Sequence, residues 1–174
     1  MSQPALIVID IQNDYFAEGA YPQWEAEAAK EAAIRAIARA RTAGVPVIHV
    51  QHVADDTKGP APFFNAGTHG VAIHPDVLAA APDAPIVIKH HADSFRDTTL
   101  QALLQSLGVD ELILCGMMTQ NCVTHTAISP QADAYRKVTV LADACTAPDQ
   151  IVHALALNAL GVRVNVQASE LIKM

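Results

Sequence analysis

The sequence predicts a three-layer α/β/α fold, in which helices cover both faces of a six-stranded, mostly parallel sheet. Strand-like and helix-like segments alternate along the chain with short breaks, as parallel α/β folds require. The strand-like segments, such as Ala5–Asp10, are continuously aliphatic, which is typical of strands buried on both faces. The chain has 174 residues, of which 51% are hydrophobic and 17% charged, enough for one core. We therefore expect residues 1–174 to form a single domain.

Six aliphatic runs bounded by turn residues are the predicted strands. They are Ala5–Asp10, Val45–Val53, Pro85–Lys89, Glu111–Cys115, Lys137–Leu141 and Val162–Val166. Consecutive parallel strands must be joined by crossovers, which are almost always right-handed. The carboxyl ends of all six strands should therefore lie at one edge of the sheet, where open α/β sheets bind their ligands.

Helices are predicted between these strands. Glu25–Ala43 is rich in Ala, Glu, Arg and Ile and is followed by Gly44, a common helix terminator. The other predicted helices are Thr98–Ser106 with Asp97 or Thr98 as N-cap, Asn121–Gln131, and Pro148–Leu160. The segment Asp55–Pro75 is rich in Gly and Pro and is expected to be a long loop, which in a compact domain is more often functional than idle.

Composition excludes several classes of function. A formal net charge of -7 disfavours nucleic acid and anionic membrane surfaces as partners. No apolar stretch is long enough to span a bilayer, and the first residues lack a basic signal-peptide start, so a cytoplasmic protein is expected. The three cysteines, Cys115, Cys122 and Cys145, form no Cys-x-x-Cys pair and indicate no disulfide framework.

Three reactive side chains follow three different strands. Asp10 and Lys89 end the first and third strands, and Cys122 follows the fourth at the expected start of a helix. A helix N-terminus lowers the pKa of a thiol, a nearby carboxylate can accept its proton, and an ammonium favours both anions. Each residue also has an ordinary structural explanation: an inert buried Cys, a capping Asp and a surface Lys. Together they predict covalent catalysis by a thiolate.

Neither a metal nor an organic cofactor is expected. His49 and His52 with Asp55 and Asp56 lack the tight spacing of a metal site. Gly-x-Gly-x-x-Gly, Gly-Lys-Ser/Thr and Gly-x-Ser-x-Gly patterns are also missing, which argues against phosphate binding and a serine hydrolase. His125, three residues after Cys122, is the best substitute base if Asp10 does not serve.

The sequence resembles the isochorismatase-like cysteine hydrolases over nearly its whole length. The resemblance lies in Val8–Phe16, Ile86–Lys89 with Ser94–Phe95 and Thr98–Leu100, Gly116–Val123 with Thr126–Ala127, and Asp143–Ala144. It implies an Asp10, Lys89 and Cys122 triad, a six-stranded parallel sheet in Rossmann-like order, and homodimers or homotetramers. It also implies a cis peptide before Met118 and an oxyanion hole formed by the backbone N–H groups of Met118 and Cys122.

The expected reaction is hydrolysis of a C–N, amide-type bond of a small molecule through a thioester, an activity of the EC 3.5.1 type. Gln12, Phe16, Trp24 and Phe64 are expected to contact the substrate. The sequence has Ile128 where many family members carry Arg after Thr-Ala. It also has His49-Val-Gln-His52 where nicotinamidases carry an Asp-x-His metal motif.

Three alternatives remain open from the sequence. The first is isochorismatase-type vinyl ether hydrolysis, in which Asp10 acts as an acid and Cys122 is a bystander. The presence of Cys122 favours C–N cleavage, because enzymes of that first type commonly lack this Cys. The second is a redox-sensing protein with a reactive Cys122. The third is a binding module without turnover, which the fold alone does not exclude.

Overall fold

A computed structural model describes residues 2–172 and contains a single six-stranded sheet. The strands are β1 (Pro4–Ile9), β2 (Val47–His52), β3 (Ile86–Lys89), β4 (Glu111–Met117), β5 (Lys137–Thr146) and β6 (Asn165–Gln167). Every neighbouring pair is parallel, in the order β3-β2-β1-β4-β5-β6. The predicted architecture is confirmed, with a sheet that is entirely rather than mostly parallel.

Helices cover both sides of the sheet. They are α1 (Ala26–Thr42), α2 (Pro75–Ala80), α3 (Leu100–Ser106), α4 (Thr124–Ala127) and α5 (Gln150–Leu160). The helix α1 packs across β4 and β5 through an alanine stripe at helical spacing that includes Ala29, Ala33, Ala36 and Ala40. Within residues 2–172, no helix is both long and apolar enough to cross a membrane.

Several predicted boundaries are wrong for local reasons. The helix predicted at Asn121–Gln131 ends at Ala127, because Ser129 precedes a proline, a position that disfavours helix. The strand predicted to end at Leu141 continues to Thr146, because Cys145 and Thr146 pair with Gly116 and Met117 of β4 after a shift in register. The last strand begins later than predicted.

The predicted loop after β2 also contains regular structure. It holds a short 3-10 turn, and at its end α2 begins at Pro75, which the sequence reading placed in the loop. The Nδ1 of His74 accepts a hydrogen bond from Asp76 N (3.3 Å) and so caps this helix. Helix α3 begins at Leu100 with Thr99 as its N-cap, so the predicted start at Thr98 and the predicted N-cap at Asp97 or Thr98 are wrong. Thr98 Oγ1 still accepts a hydrogen bond from Leu100 N (3.2 Å).

The strand order reverses between β1 and β4: β2 and β3 are added on one side of β1, and β4, β5 and β6 on the other. Open α/β sheets bind their ligands at such a point. Gly116 of β4 lies beside Ile9 of β1 with φ of 126°. A Cβ atom on Gly116 would lie 1.9 Å from the carbonyl oxygen of Ile9, so only glycine allows this approach. The close contact brings the ends of β1 and β4 together.

The segment between β2 and α2 folds back over this end of the sheet and is fastened by Asp14. Its carboxylate accepts hydrogen bonds from Phe64 N (2.7 Å) and Ala20 N (3.1 Å). A Cβ atom on Gly70 would collide with this carboxylate, so Gly70 leaves the space it needs. Asp14 is therefore buried and holds the covering segment in place.

Candidate active site

Asp10, Lys89 and Cys122 meet at the carboxyl end of the sheet, completely or almost completely buried. Lys89 Nζ lies 2.7 Å from Asp10 Oδ2. An oxygen of Asp10 lies within 4.8 Å of Cys122 Sγ. Asp10 follows β1 with a left-handed φ of 51°, a conformation that non-glycine residues rarely adopt and that is often found at functional sites. The structure thus brings together three residues that are far apart in sequence.

The Lys89 ammonium is surrounded by acceptors. Besides Asp10, it donates to His52 Nδ1 (3.1 Å) and to the carbonyl oxygens of His91 (3.0 Å) and Ala92 (3.3 Å). Burial alone would lower the pKa of Lys89, but the neighbouring Asp10 and Cys122 outweigh it, and the pKa is raised. Lys89 is therefore a fixed, buried positive charge.

The expected low pKa of Cys122 is wrong. Burial, followed by the adjacent Asp10 carboxylate, raises the pKa of Cys122 to about 12, and the opposing influence of Lys89 is smaller. The resting thiol is thus protonated at neutral pH. The Asp10 carboxylate is fully buried and, within residues 2–172, its neighbours are the Lys89 ammonium and the Cys122 thiol, so an acceptor for the thiol proton lies beside the sulfur.

Cys122 lies in the first turn of a helical segment that starts earlier than predicted. A π-helical turn, Thr119–Val123, leads directly into α4. The expected cis peptide is present between Met117 and Met118. Thr119 Oγ1 donates to the carbonyl of Thr146 (2.9 Å) at the end of β5 and thereby fixes the start of this turn.

The widened turn also separates Cys122 from His125. His125 is exposed to solvent and its Nδ1 lies 2.8 Å from the carbonyl oxygen of Asn121, whereas Cys122 is buried. The spacing of three residues therefore does not place the two side chains together, because the π-helical turn replaces a regular α-helical turn. Asp10, not His125, lies beside the thiol.

His52 is a site residue that the sequence reading missed. It is the last residue of β2, and one of its ring nitrogens lies within 4.8 Å of an Asp10 oxygen and of Cys122 Sγ. Its place is fixed by Gln12, whose Oε1 accepts from His52 N (2.8 Å) and whose Nε2 donates to His52 O (2.9 Å). The strand-end rule that found Asp10 and Lys89 also finds His52.

The side chain of Gln12, which was expected to contact substrate, forms its hydrogen bonds with backbone groups. Its Nε2 also donates to the carbonyl of Val71 (2.7 Å), so both amide protons are engaged. The side chain links β2 to the covering segment and is fully buried.

An aromatic cluster borders the triad. Tyr15 lies close enough to Cys122 and Asp10 for both charges to raise its pKa, although burial is the largest cause. Its ring contacts Phe63 (5.6 Å between centroids) and Phe64 (4.6 Å), and Phe64 in turn lies 5.9 Å from the His52 ring. Phe64 thus lies beside the site as expected, whereas Tyr15 and Phe63 were not among the expected substrate contacts.

Phe16 and Trp24 lie in different surroundings. Phe16 packs on His74 (4.5 Å between centroids) with Lys30 Nζ 5.7 Å from its ring, on the side of α1 and α2. Trp24 is partly exposed and lies 5.9 Å from the ring of His153, which contacts Thr119 Oγ1 (2.9 Å). Trp24 is therefore placed near the turn that carries Cys122.

Asp10, His52 and Cys122 also present donor atoms at the spacing of a metal site, all within 4.8 Å of one another. Carboxylate, imidazole and thiolate together are ligands typical of zinc. The Lys89 ammonium, however, lies against Asp10 and His52, and its charge opposes a divalent cation there. The donor set therefore fits a resident metal poorly, and its expected absence stays a prediction.

Comparison with known proteins identifies the family of this chain. The family model of the isochorismatase domain matches residues 4–169. The isochorismatase family protein YddQ of Bacillus subtilis (strain 168) is 40% identical over 141 residues, covering 81% of this chain and 76% of that protein. Maleamate amidohydrolase of Pseudomonas putida is 31% identical over 150 residues, covering 79% and 70%.

A solved structure of the same family has the same fold. The crystal structure of a protein from Oleispira antarctica, assigned to the isochorismatase hydrolases, superposes with a TM-score of 0.86 at 36% identity, covering 97% of this chain and 95% of that one. The family model spans nearly the whole chain, and the fold and sequence relatives carry the same family name. The chain therefore belongs to the isochorismatase family of hydrolases.

Proposed function

We propose that this hydrolase cleaves a C–N, amide-type bond of a small molecule through a thioester on Cys122. The observation that carries the proposal is the buried contact of a thiol, a carboxylate and an ammonium at the β1–β4 switch point. The similarity to maleamate amidohydrolase supports an amide as the bond that is cleaved.

The high pKa of the thiol determines how attack begins. A thiol with a pKa of about 12 carries almost no thiolate at neutral pH, so its proton must leave as the sulfur attacks. The Asp10 carboxylate accepts that proton, and Lys89 keeps a positive charge beside the sulfur and the carboxylate. A concerted transfer of this type avoids a free, desolvated thiolate.

The rest of the cycle returns the proton and restores the enzyme. The S–C bond forms, and the backbone N–H groups of Met118 and Cys122 stabilise the oxyanion. The C–N bond then breaks as protonated Asp10 gives its proton to the leaving ammonia or amine. A water, deprotonated by Asp10, attacks the thioester, releases the acid and returns the thiol. General acid–base help contributes roughly 10²–10⁴-fold, and one oxyanion donor about 10²–10³-fold.

We propose that Phe64 and Trp24 contact the substrate, since one borders His52 and the other lies near the Cys122 turn. Phe16, which packs toward α1 and α2, and Gln12, whose amide protons are engaged, would shape the pocket from behind. The expected cytoplasmic location stays a prediction.

A screen of small amides, ureas and carbamoyl compounds for ammonia release tests the proposal. Cys122→Ala should lower turnover of any true substrate by about 10⁴-fold or more, since the nucleophile is lost. Cys145→Ala is the matched control, because Cys145 is also buried but has no place in the mechanism. Mass spectrometry of a slow substrate should find an acyl adduct on the Cys122 peptide.

The alternatives give different results in the same experiments. Vinyl ether hydrolysis would need Asp10 but not the sulfur, so Asp10→Asn would be inactive while Cys122→Ser remained active. A redox sensor would carry only oxidised sulfur at Cys122 and release no ammonia. Undiminished turnover by Cys122→Ala would overturn the thioester proposal.

We further propose that the chain self-associates through α5. Its exposed residues follow a helical stripe without a charge: Ile151, Ala154, Leu155, Asn158, Ala159 and, just beyond, Val162. Ile151 is 72% exposed, Leu155 66% and Val162 84%, an unusual apolar surface for a monomer. A second copy suits this surface, because a two-fold axis would set the same uncharged stripe against itself.

Light scattering after size-exclusion chromatography tests this contact. The unaltered protein should run as a dimer or tetramer, and Leu155→Glu should shift it to the monomer. Leu171→Glu is the matched control, since Leu171 is equally exposed but outside the stripe. A monomeric unaltered protein would refute the proposal.

A further inference from the structure

His52 is held at the triad but has no role in the mechanism described so far. Gln12 binds its backbone on both sides, through His52 N (2.8 Å) and His52 O (2.9 Å). Its ring is then directed at Lys89, with Nδ1 3.1 Å from Nζ. Two buried side chains and a strand end therefore hold this ring in one position, which a surface histidine would not require.

The contact with Lys89 determines which nitrogen of the His52 ring carries the hydrogen. An ammonium can only donate, so Nδ1 of His52 must be the unprotonated nitrogen and Nε2 carries the hydrogen. Burial, and next the positive charge of Lys89, lower the pKa of His52 to about 4, so that the ring is neutral at physiological pH. His52 is thus a neutral acceptor and not a competing cation.

From this geometry we propose that His52 is a positioning residue, which accepts a hydrogen bond from Lys89 and holds the ammonium against Asp10 and Cys122. The ammonium has three protons but four nearby acceptors: Asp10 Oδ2, His52 Nδ1 and the carbonyl oxygens of His91 and Ala92. Without the Nδ1 acceptor, those carbonyls compete for the ammonium and draw it away from the sulfur.

The charge around the thiol makes this position important. Burial and Asp10 raise the pKa of Cys122, and Lys89 is the group that lowers it. Displacing the ammonium therefore leaves the thiol harder to ionise. The other titratable groups that act on His52 or Cys122 are His90, His91 and Tyr15, and none of them is changed in the test below.

The test measures alkylation of Cys122 by iodoacetamide, which needs no knowledge of the substrate. The rate is followed by mass spectrometry of the Cys122 peptide between pH 7 and 10 in the full-length protein. His52→Leu removes the acceptor at similar volume. His52→Asn and His52→Gln are a matched pair of amides, because the Asn oxygen takes the place of Nδ1 whereas the longer Gln reaches the place of Nε2.

We expect His52→Leu to be alkylated about tenfold more slowly at each pH, equal to a thiol pKa about one unit higher. His52→Asn should stay within about threefold of the unaltered protein, and His52→Gln should behave like Leu. The Asn and Gln pair keeps the test decisive even where the Leu variant fails to fold. An unchanged rate in His52→Leu, or rescue by Gln rather than Asn, would overturn the proposal.

A double-mutant comparison separates positioning from simple access to the sulfur. If His52 acts through Lys89, His52→Leu should change the rate by less than about twofold when Lys89 is already Met. An equal tenfold loss in that background would mean that the ring shapes access instead, and would refute the inference.

The importance of His52 for turnover rests on the proposed thioester function, but this readout does not. If no amide is hydrolysed while the His52 series behaves as expected, the proposed function fails and the positioning role stands. If amides are hydrolysed and the alkylation rates do not respond to His52, the reverse holds.

Discussion

The two ends of the sheet carry ion pairs of opposite character. At the carboxyl end, Lys89 and Asp10 approach to 2.7 Å with no exposure to solvent. At the amino end, Arg136 and Glu111 approach to 2.6 Å, but the Arg136 side chain is 58% exposed. The distances are almost equal, so solvent and not contact length distinguishes the two pairs.

The difference shows that a charge lowers stability mainly where it is buried. An exposed pair stays solvated and contributes little, whereas each buried ion loses its hydration and must recover it from neighbours. Lys89 interacts with Asp10, His52 and two carbonyls, whereas within residues 2–172 Asp10 has only the Lys89 ammonium and the Cys122 thiol. An incompletely compensated buried charge is characteristic of a site adapted for chemistry rather than for stability.

The largest expected effect comes from breaking the buried pair. Lys89→Met should lower the free energy of unfolding by about 3–5 kcal/mol, because it leaves Asp10 buried without its partner. Urea denaturation measures this loss. The double variant Asp10→Asn with Lys89→Met should recover a large part of the stability, since no unpaired charge remains, yet stay inactive. A loss below about 1 kcal/mol in Lys89→Met would mean that the buried pair resembles the exposed one.

An intermediate effect is expected from acid. The pKa of His52 is lowered to about 4 in the folded chain from an ordinary value of 6.5, so the unfolded chain binds the proton first. Above pH 6.5 the His52 ring is neutral in both the folded and the unfolded chain and does not reduce the free energy of unfolding. As the pH falls from 6.5 toward 4, protonation of the unfolded chain lowers that free energy. Between pH 7 and 5 the unaltered protein should lose about 2 kcal/mol more than His52→Asn.

Denaturation curves at several pH values measure that difference. Burial likewise lowers the pKa of His49, so both proteins should lose stability in acid, and only the difference between them reports His52. Parallel curves for the two proteins would show that the His52 ring is not kept neutral by the buried end of the sheet.

The smallest expected effect is at the amino end. Arg136→Ala should change the free energy of unfolding by about 0–1 kcal/mol, because water screens both its contacts, with Glu111 and with Asp110. Raising the salt concentration should reduce even this difference. If Arg136→Ala were as costly as Lys89→Met, exposure would not be what separates the two ends.

Individual residues show which parts of the site could be predicted from the sequence. The strand-end rule correctly places Asp10 and Lys89 at one edge, and it would have placed His52 there too. Alternation along β2 separates His49 from His52, and the structure agrees: His49 lies 3.2 Å from the carbonyl oxygen of Ala81, whereas His52 faces the triad. The pKa of Cys122 could not be predicted, because a helix start favours the thiolate while burial opposes it.

By itself, the sequence determined the sheet, the helices between its strands and the residues that end them, because aliphatic runs and helical stripes are local patterns. Only the tertiary structure decided the state of those end groups. Desolvation depends on everything that surrounds a group, including a covering segment held by Asp14 from another part of the chain. The direction of the Cys122 pKa and the neutrality of His52 both follow from that enclosure.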